Sequence, residues 1–332
     1  MSITAKVVSK AKRVLTEQIG GSFMGGLIAG QIDGNYILMY HGVSATGSTR
    51  FNRRHASVAC FTNQIKFLKK YCAVISLSDF FEGKFVSGKP NFALTFDDGY
   101  LNNFANAKPI LEEFKCPATF FITGLNEVGD NMLWADYVNI ASVLTDKEVE
   151  VEGEQFKKQG NTYFSKFSGK SLYEVIKHQK ADYSYKLKVK DAFGKYVSFE
   201  NEPAIKEYWQ LMSDQQIAET SHSAFIKIGS HGYYHNNLGT IAHDKALDEV
   251  SRSKKYLENL VQYEVREIAY PDGSYTPALL TSAKQMGFNV QLAADHFLFN
   301  EKPDNPDIKK RNGIYTIDTC LNQLFTAIKT SD

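Results

Sequence analysis

The chain has four cysteines in 332 residues, Cys60, Cys72, Cys116 and Cys320, and no two of them form a CxxC pair. This argues against a thiolate zinc site and a disulfide framework; reduced, buried thiols are expected. An excess of one charge is also missing, since 38 Lys and Arg against 37 Asp and Glu leave a net charge of +1. No global field draws such a chain to nucleic acid, and a nucleic-acid partner is not expected. Near the N-terminus the apolar stretch at residues 23–30 (FMGGLIAG) is too short to span a bilayer. Its glycines and the preceding Glu17 do not suit a secretory leader, although Lys6, Lys10, Lys12 and Arg13 come before it. The expectation is a cytoplasmic protein, with peripheral membrane attachment or export as alternatives. No internal repeat and no low-complexity tract is visible.

What is present is a globular composition, 43% hydrophobic and 13% aromatic, sufficient for a sizeable core. The length favours one large domain with an elaboration over two equal ones. Residues 1–34 read as a helical, Gly-rich N-terminal segment, and residues 35–332 as a single domain interrupted by an insertion at about 130–212.

The runs 36–40 (YILMY), 73–75 (AVI), 92–96 (FALTF) and 118–122 (ATFFI) are what strands buried on both faces look like. Between and after them Phe61, Ile65 and Leu68, and then Leu247, Val250, Leu257 and Val261, recur at helical spacing. Residues 225–228, 265–270 and 289–292 read as later strands, and Thr276, Pro277 and Gly287 bracket a helix between the last two. This alternation predicts an α/β fold with a parallel sheet, seven or eight units closing into a barrel. From about 130 to 212 the rhythm changes. Residues 148–152 (EVEVE) and 163–167 alternate around a turn at 159–161 (QGN), which predicts an antiparallel hairpin. Ile205, Tyr208, Trp209 and Met212 then predict a helix, and Ser213 with Gln216 a capping box opening the next one.

Three segments carry chemistry, each directly after a predicted strand. In residues 95–100 (TFDDGY) two carboxylates, Asp97 and Asp98, adjoin at the end of a buried run. They are either an ordinary Asp-Asp-Gly turn or a site that needs a cation, one carboxylate binding it and the other free to act as a base. In residues 230–235 (SHGYYH) two histidines stand four apart, either as loop histidines or as ligands of one ion. Asp98, His231 and His235 together would make a two-His, one-carboxylate site with open positions, suited to Zn²⁺, with Ni²⁺ or Co²⁺ as alternatives. Residues 269–275 (AYPDGSY) form the third segment, by itself no more than a loop.

The three segments in this order, opened by residues 40–43 (YHGV), resemble the polysaccharide deacetylases of the NodB-homology group, carbohydrate esterase family 4. The resemblance covers most of the chain from Tyr36 onward. It implies a distorted (β/α)7 TIM-like barrel, with the insertion as an α+β cap, and metal-dependent removal of an acetyl group from an N-acetylated sugar, glycan or lipid-linked glycan. By the same resemblance Asp98, His231 and His235 look like the metal ligands and Asp97 like the general base. The same resemblance implies that the metal and the backbone N–H of Asp272, which follows Pro271, stabilise the oxyanion.

Two departures stand out. Many relatives carry an Arg two places before the proline, where this chain has Ala269, so the Arg–carboxylate pair is expected to be missing. Many also carry a Leu-x-His near the C-terminus, and here the last histidine is His296, outside that pattern. The general acid is then left unassigned, with His296 the first candidate and His41 the next. Arg54, Arg311, Tyr233 and Tyr234 are candidates for sugar contact, and Trp134 and Trp209 for shaping the site from the cap. Cleavage of another C–N bond and a catalytically impaired carbohydrate binder are the competing functions.

Overall fold

The computed structural model describes residues 30, 32–179, 182–294, 305–316 and 320–329. His296 and nearly all of the N-terminal segment 1–34 lie outside them.

The buried apolar runs form a parallel sheet. Its strands are β1 (Asn35–Tyr40), β2 (Ala73–Val74), β3 (Asn91–Phe96), β4 (Ala118–Ile122), β5 (Ile226–Ser230), β6 (Glu267–Ala269), β7 (Val290–Leu292) and β8 (Asn312–Gly313). Their order is β7-β6-β5-β4-β3-β1-β8, with β2 beside the start of β3. One stretch of chain joins the two edges. Lys309 exchanges backbone bonds with Gln291 and Ala293 beside β7, and three residues later Asn312 and Gly313 pair with β1. The result is the distorted (β/α) barrel that the resemblance implies, with seven strands in its continuous order and β2 as an eighth beside β3.

Burial on both faces explains why β3 and β4 are largely apolar, with only Asn91, Thr95 and Thr119 polar among their buried residues. One face packs Leu38, Phe92, Phe96, Phe120 and Ile228 against helix residues such as Phe61, Leu68, Val250 and Leu257. The other gathers Ile37, Ala93, Phe121, Ala269 and Leu292 into a second cluster. Because the strands are parallel, their C-terminal ends open at one mouth, and the polar residues that follow them meet there.

Between β4 and β5, which pair directly, the chain leaves the sheet. It builds helices Trp134–Leu144 and Tyr183–Gly194 and a three-stranded antiparallel sheet, Val149–Val151, Glu154–Gln159 and Thr162–Ser165. These share an apolar cluster that includes Trp134, Tyr137, Phe156, Tyr163, Phe193 and Trp209. The helix expected to run to Met212 instead ends at Lys206. Residues 210–212 are extended because their backbone zips onto the segment after Asp98: Leu101 N–H donates to Gln210 and Met212 N–H to Gly99. Ser213 and Gln216 then form the expected capping box. No helix among the described residues is long and apolar enough to cross a membrane.

Candidate active site

Asp97 and Asp98 follow β3, His231 follows β5, Asp272 lies in the turn after β6, and His41 follows β1. All five are at the barrel mouth, and Asp97, His231, His235, His41, Asp272 and Arg311 line one cavity of about 340 Å³. Asp98 reaches the site through a strained turn, with φ of 76° at Asp98 and 82° at Gly99. A left-handed conformation at a non-glycine residue persists only where its surroundings impose it, and such residues cluster at functional sites. A Cβ at Gly99 would lie 3.0 Å from Ile122 Cδ1, so glycine is required there for space as well as for φ.

Asp98 Oδ1 lies 3.4 Å from His231 Nε2 and 3.2 Å from His235 Nε2. Ligand atoms of the three residues fall within 4.8 Å of one another, and all three side chains are buried. Neither Asp98 oxygen has a well-formed hydrogen bond, which is an expensive state for a buried carboxylate without a cation. His231 Nδ1 is 2.8 Å from the Ala269 carbonyl, so Nδ1–H donates there and Nε2 keeps its lone pair for the site. Two imidazole nitrogens and one unpaired carboxylate fit a divalent cation of the Zn²⁺, Co²⁺ or Ni²⁺ type. Burial alone would raise the Asp98 carboxyl, but the two histidines outweigh it and hold it well below the ordinary value.

Asp97 corrects one expectation. The Arg–carboxylate pair expected to be missing at Ala269 is supplied by Arg311, just before β8. Arg311 Nη1 donates to Asp97 Oδ1 at 2.6 Å and Nη2 to Oδ2 at 2.7 Å, a bidentate pair. Its Nε donates to the Ala293 carbonyl at 2.8 Å, and the side chain is 1% exposed. It is therefore no surface contact for a sugar. Burial would raise Asp97, but Arg311 and His231 more than offset this and keep it below the ordinary carboxylate value. No local pattern hints at this pairing, because 214 residues separate the partners.

The other candidates divide. His41 is 6% exposed, its Nδ1 has no hydrogen-bond partner, and burial, reinforced by Arg54, pushes its imidazole down to about 4. Asp272, at φ 53°, lines the cavity, and its carboxylate accepts from Lys177 at 2.5 Å. Pro271 sits behind it, buried, with Cγ 3.2 Å from where a Cβ on Gly232 would stand. Arg54 lines the cavity, 4.0 Å from Asp98 Oδ2 and 3.7 Å from Asp136 Oδ1. Tyr233, by contrast, is core: it is 1% exposed and its hydroxyl donates to Glu127. Tyr234 stacks on Tyr183 at the edge of a separate groove, and Trp134 and Trp209 are interior to the cap. Sequence reasoning missed Lys177 and Lys186, both from the insertion, and Asp136, whose carboxyl burial pushes up to about 7.

The sequence profile of the family described as polysaccharide deacetylase matches residues 86–160 and 187–291, more than half of the chain. No curated protein matches it in sequence. Among solved structures, the Streptococcus pyogenes deacetylase PplD in complex with acetate aligns with a TM-score of 0.54 at 17% identity, over 88% of this chain and 97% of that one. IcaB from Ammonifex degensii aligns with a TM-score of 0.52 at 17% identity, over 90% and 98%. A de-N-acetylase from Aggregatibacter actinomycetemcomitans gives 0.52 at 17% identity, over 88% and 99%. At these identities the likeness is one of fold. With the profile match across the segments that bear Asp97, Asp98, His231, His235 and Asp272, the chain belongs to the polysaccharide deacetylase family and is a carbohydrate-deacetylating hydrolase.

Proposed function

We propose that this protein hydrolyses the amide of an N-acetylated glycan sugar, with Asp98, His231 and His235 holding a divalent metal, Asp97 as general base and His41 as general acid. One observation carries the reading: a carboxylate kept ionised by a bidentate arginine stands directly beside a buried two-His, one-Asp cluster with unpaired oxygens. A divalent cation there supplies Lewis acidity toward the attacking water and the acetyl carbonyl. Asp97 takes the proton of the water as the C–O bond forms. Arg311 orients both carboxylate oxygens and holds the base ready at neutral pH. The backbone N–H of Asp272, in the turn that lines the cavity, is the proposed donor to the developing oxyanion. His41, whose imidazole is neutral in the free site, takes up the proton that Asp97 removed from water and passes it to the nitrogen as the C–N bond breaks, releasing acetate and a free amine. His41 is chosen because it lines the same cavity as Asp97. The intact Asp97–Arg311 pair removes the main motive for a catalytically impaired binder.

The test joins metal content after chelator-free purification with acetate release from a panel of N-acetylated sugars and oligosaccharides. Stoichiometric Zn²⁺, Co²⁺ or Ni²⁺ with stoichiometric acetate and amine is expected. A protein that binds no divalent metal, or releases acetate equally well after metal removal, overturns the reading.

A further inference from the structure

The loop that carries His231 and His235 is held from two sides, and one holder comes from the insertion. On the barrel side, Glu249 of helix His243–Val261 accepts the backbone N–H groups of Tyr233 at 3.3 Å and Tyr234 at 2.9 Å, and the Asn236 amide at 2.5 Å. On the cap side, Lys186 of helix Tyr183–Gly194 is 2% exposed. Its Nζ donates to the His235 carbonyl at 2.7 Å and to Asn236 Oδ1 at 2.6 Å. Among the described residues it has no carboxylate within ion-pair distance, and the Trp134 ring lies 5.7 Å away. Burying an ammonium group without a counter-ion is costly, and an apolar residue would pack the same helix face more cheaply. His235 itself is held at φ 51°, a conformation that costs free energy unless its surroundings enforce it.

We infer that Lys186 is a positioning residue for the metal site: by tying the carbonyl of His235 and the side chain of Asn236 to the cap, it fixes the direction in which His235 Nε2 points. The inference rests on the ligand assignment proposed above. It makes the insertion part of the metal-binding machinery, with Asn236 as the link between Lys186 and Glu249. Partners outside the ligand set that orient ligands typically change metal affinity about 10- to 100-fold when removed.

The test is titration of the metal-free full chain with Zn²⁺, and with Co²⁺ monitored by visible absorption. Lys186→Met should bind Zn²⁺ about 10- to 100-fold more weakly and show an altered Co²⁺ spectrum. Lys186→Arg, which keeps cationic donors, should recover part of the affinity, and Lys188→Met, on the exposed side of the helix, should match the wild type. Asn236→Ala removes the link but not the ammonium, and serves if Lys186→Met does not fold; it should weaken Zn²⁺ binding in the same direction. A folded Lys186→Met, or failing that a folded Asn236→Ala, with wild-type affinity and spectrum overturns the inference while leaving the ligand assignment intact. A wild-type chain that binds neither metal overturns both.

Discussion

The barrel and the insertion solve different problems with different chemistry. The barrel puts carboxylates and imidazoles at the ends of parallel strands, where the topology brings them to one mouth whatever the intervening sequence. The insertion has its own apolar cluster and its own antiparallel sheet, yet it sends Lys177 to Asp272 and Lys186 to the His235 carbonyl. The reacting groups thus come from the strand ends of the barrel, and cations that hold the loops around them come from the added segment. Damage to the barrel side should abolish chemistry, whereas damage to the cap should loosen metal binding or cost stability.

The largest effect is expected on the barrel side. Asp97→Asn should lower kcat about 10²- to 10⁴-fold with metal content unchanged, since it removes a base and no ligand. Wild-type turnover in this variant would remove Asp97 from the mechanism. Arg311→Met leaves a buried carboxylate uncompensated and should cost about 3–5 kcal/mol in denaturant unfolding. It also removes the group that holds Asp97 down, so the acid limb of the kcat/KM profile should move to higher pH. A limb that stays in place would show that Arg311 does not tune the base.

Within the cap, Phe156→Ala empties a fully buried position. It should cost about 3–5 kcal/mol of stability while the folded protein keeps its Zn²⁺ affinity, in contrast to Lys186→Met. A parallel loss of affinity would mean that cap packing as a whole, and not the Lys186 contact, sets the ligand loop.

The most gradual effect is a pH dependence where cap and barrel meet. Burial raises Asp136 from 3.8 to about 7, and its carboxylate accepts from Tyr100 and Asn52. An acid whose folded value is raised contributes stability that is present below its unfolded value and lost as pH rises through the folded one. Between about pH 4 and 7 the metal-free wild type should therefore lose stability relative to Asp136→Asn by about 1.4 kcal/mol per pH unit. Melting curves of the two proteins across that range check this; a constant difference would refute it.

The strands, the barrel and the line-up of Asp97, Asp98, His231 and His235 were legible because they rest on local rules. A strand buried on both faces must be largely apolar, and a polar residue just past its C-terminal end must lie at the mouth. Lys186 was half legible: it shares a helix face with the buried Val189 and Phe193, three and seven residues on, so periodicity marks it as a cation on an apolar stripe. Nothing local tells what a buried cation holds. The pairing of Arg311 with Asp97, the interior fate of Trp134 and Trp209, and the extended course of residues 210–212 were decided by contacts between segments far apart in the chain. Periodicity and spacing fix which face of an element is buried and which residues stand at its ends; they carry no term for the partner across the gap. That partner exists only once the sheet has closed through residues 309–313 and the cap has docked, because only then do Arg311, Lys177 and Lys186 come within hydrogen-bonding reach of Asp97, Asp272 and His235.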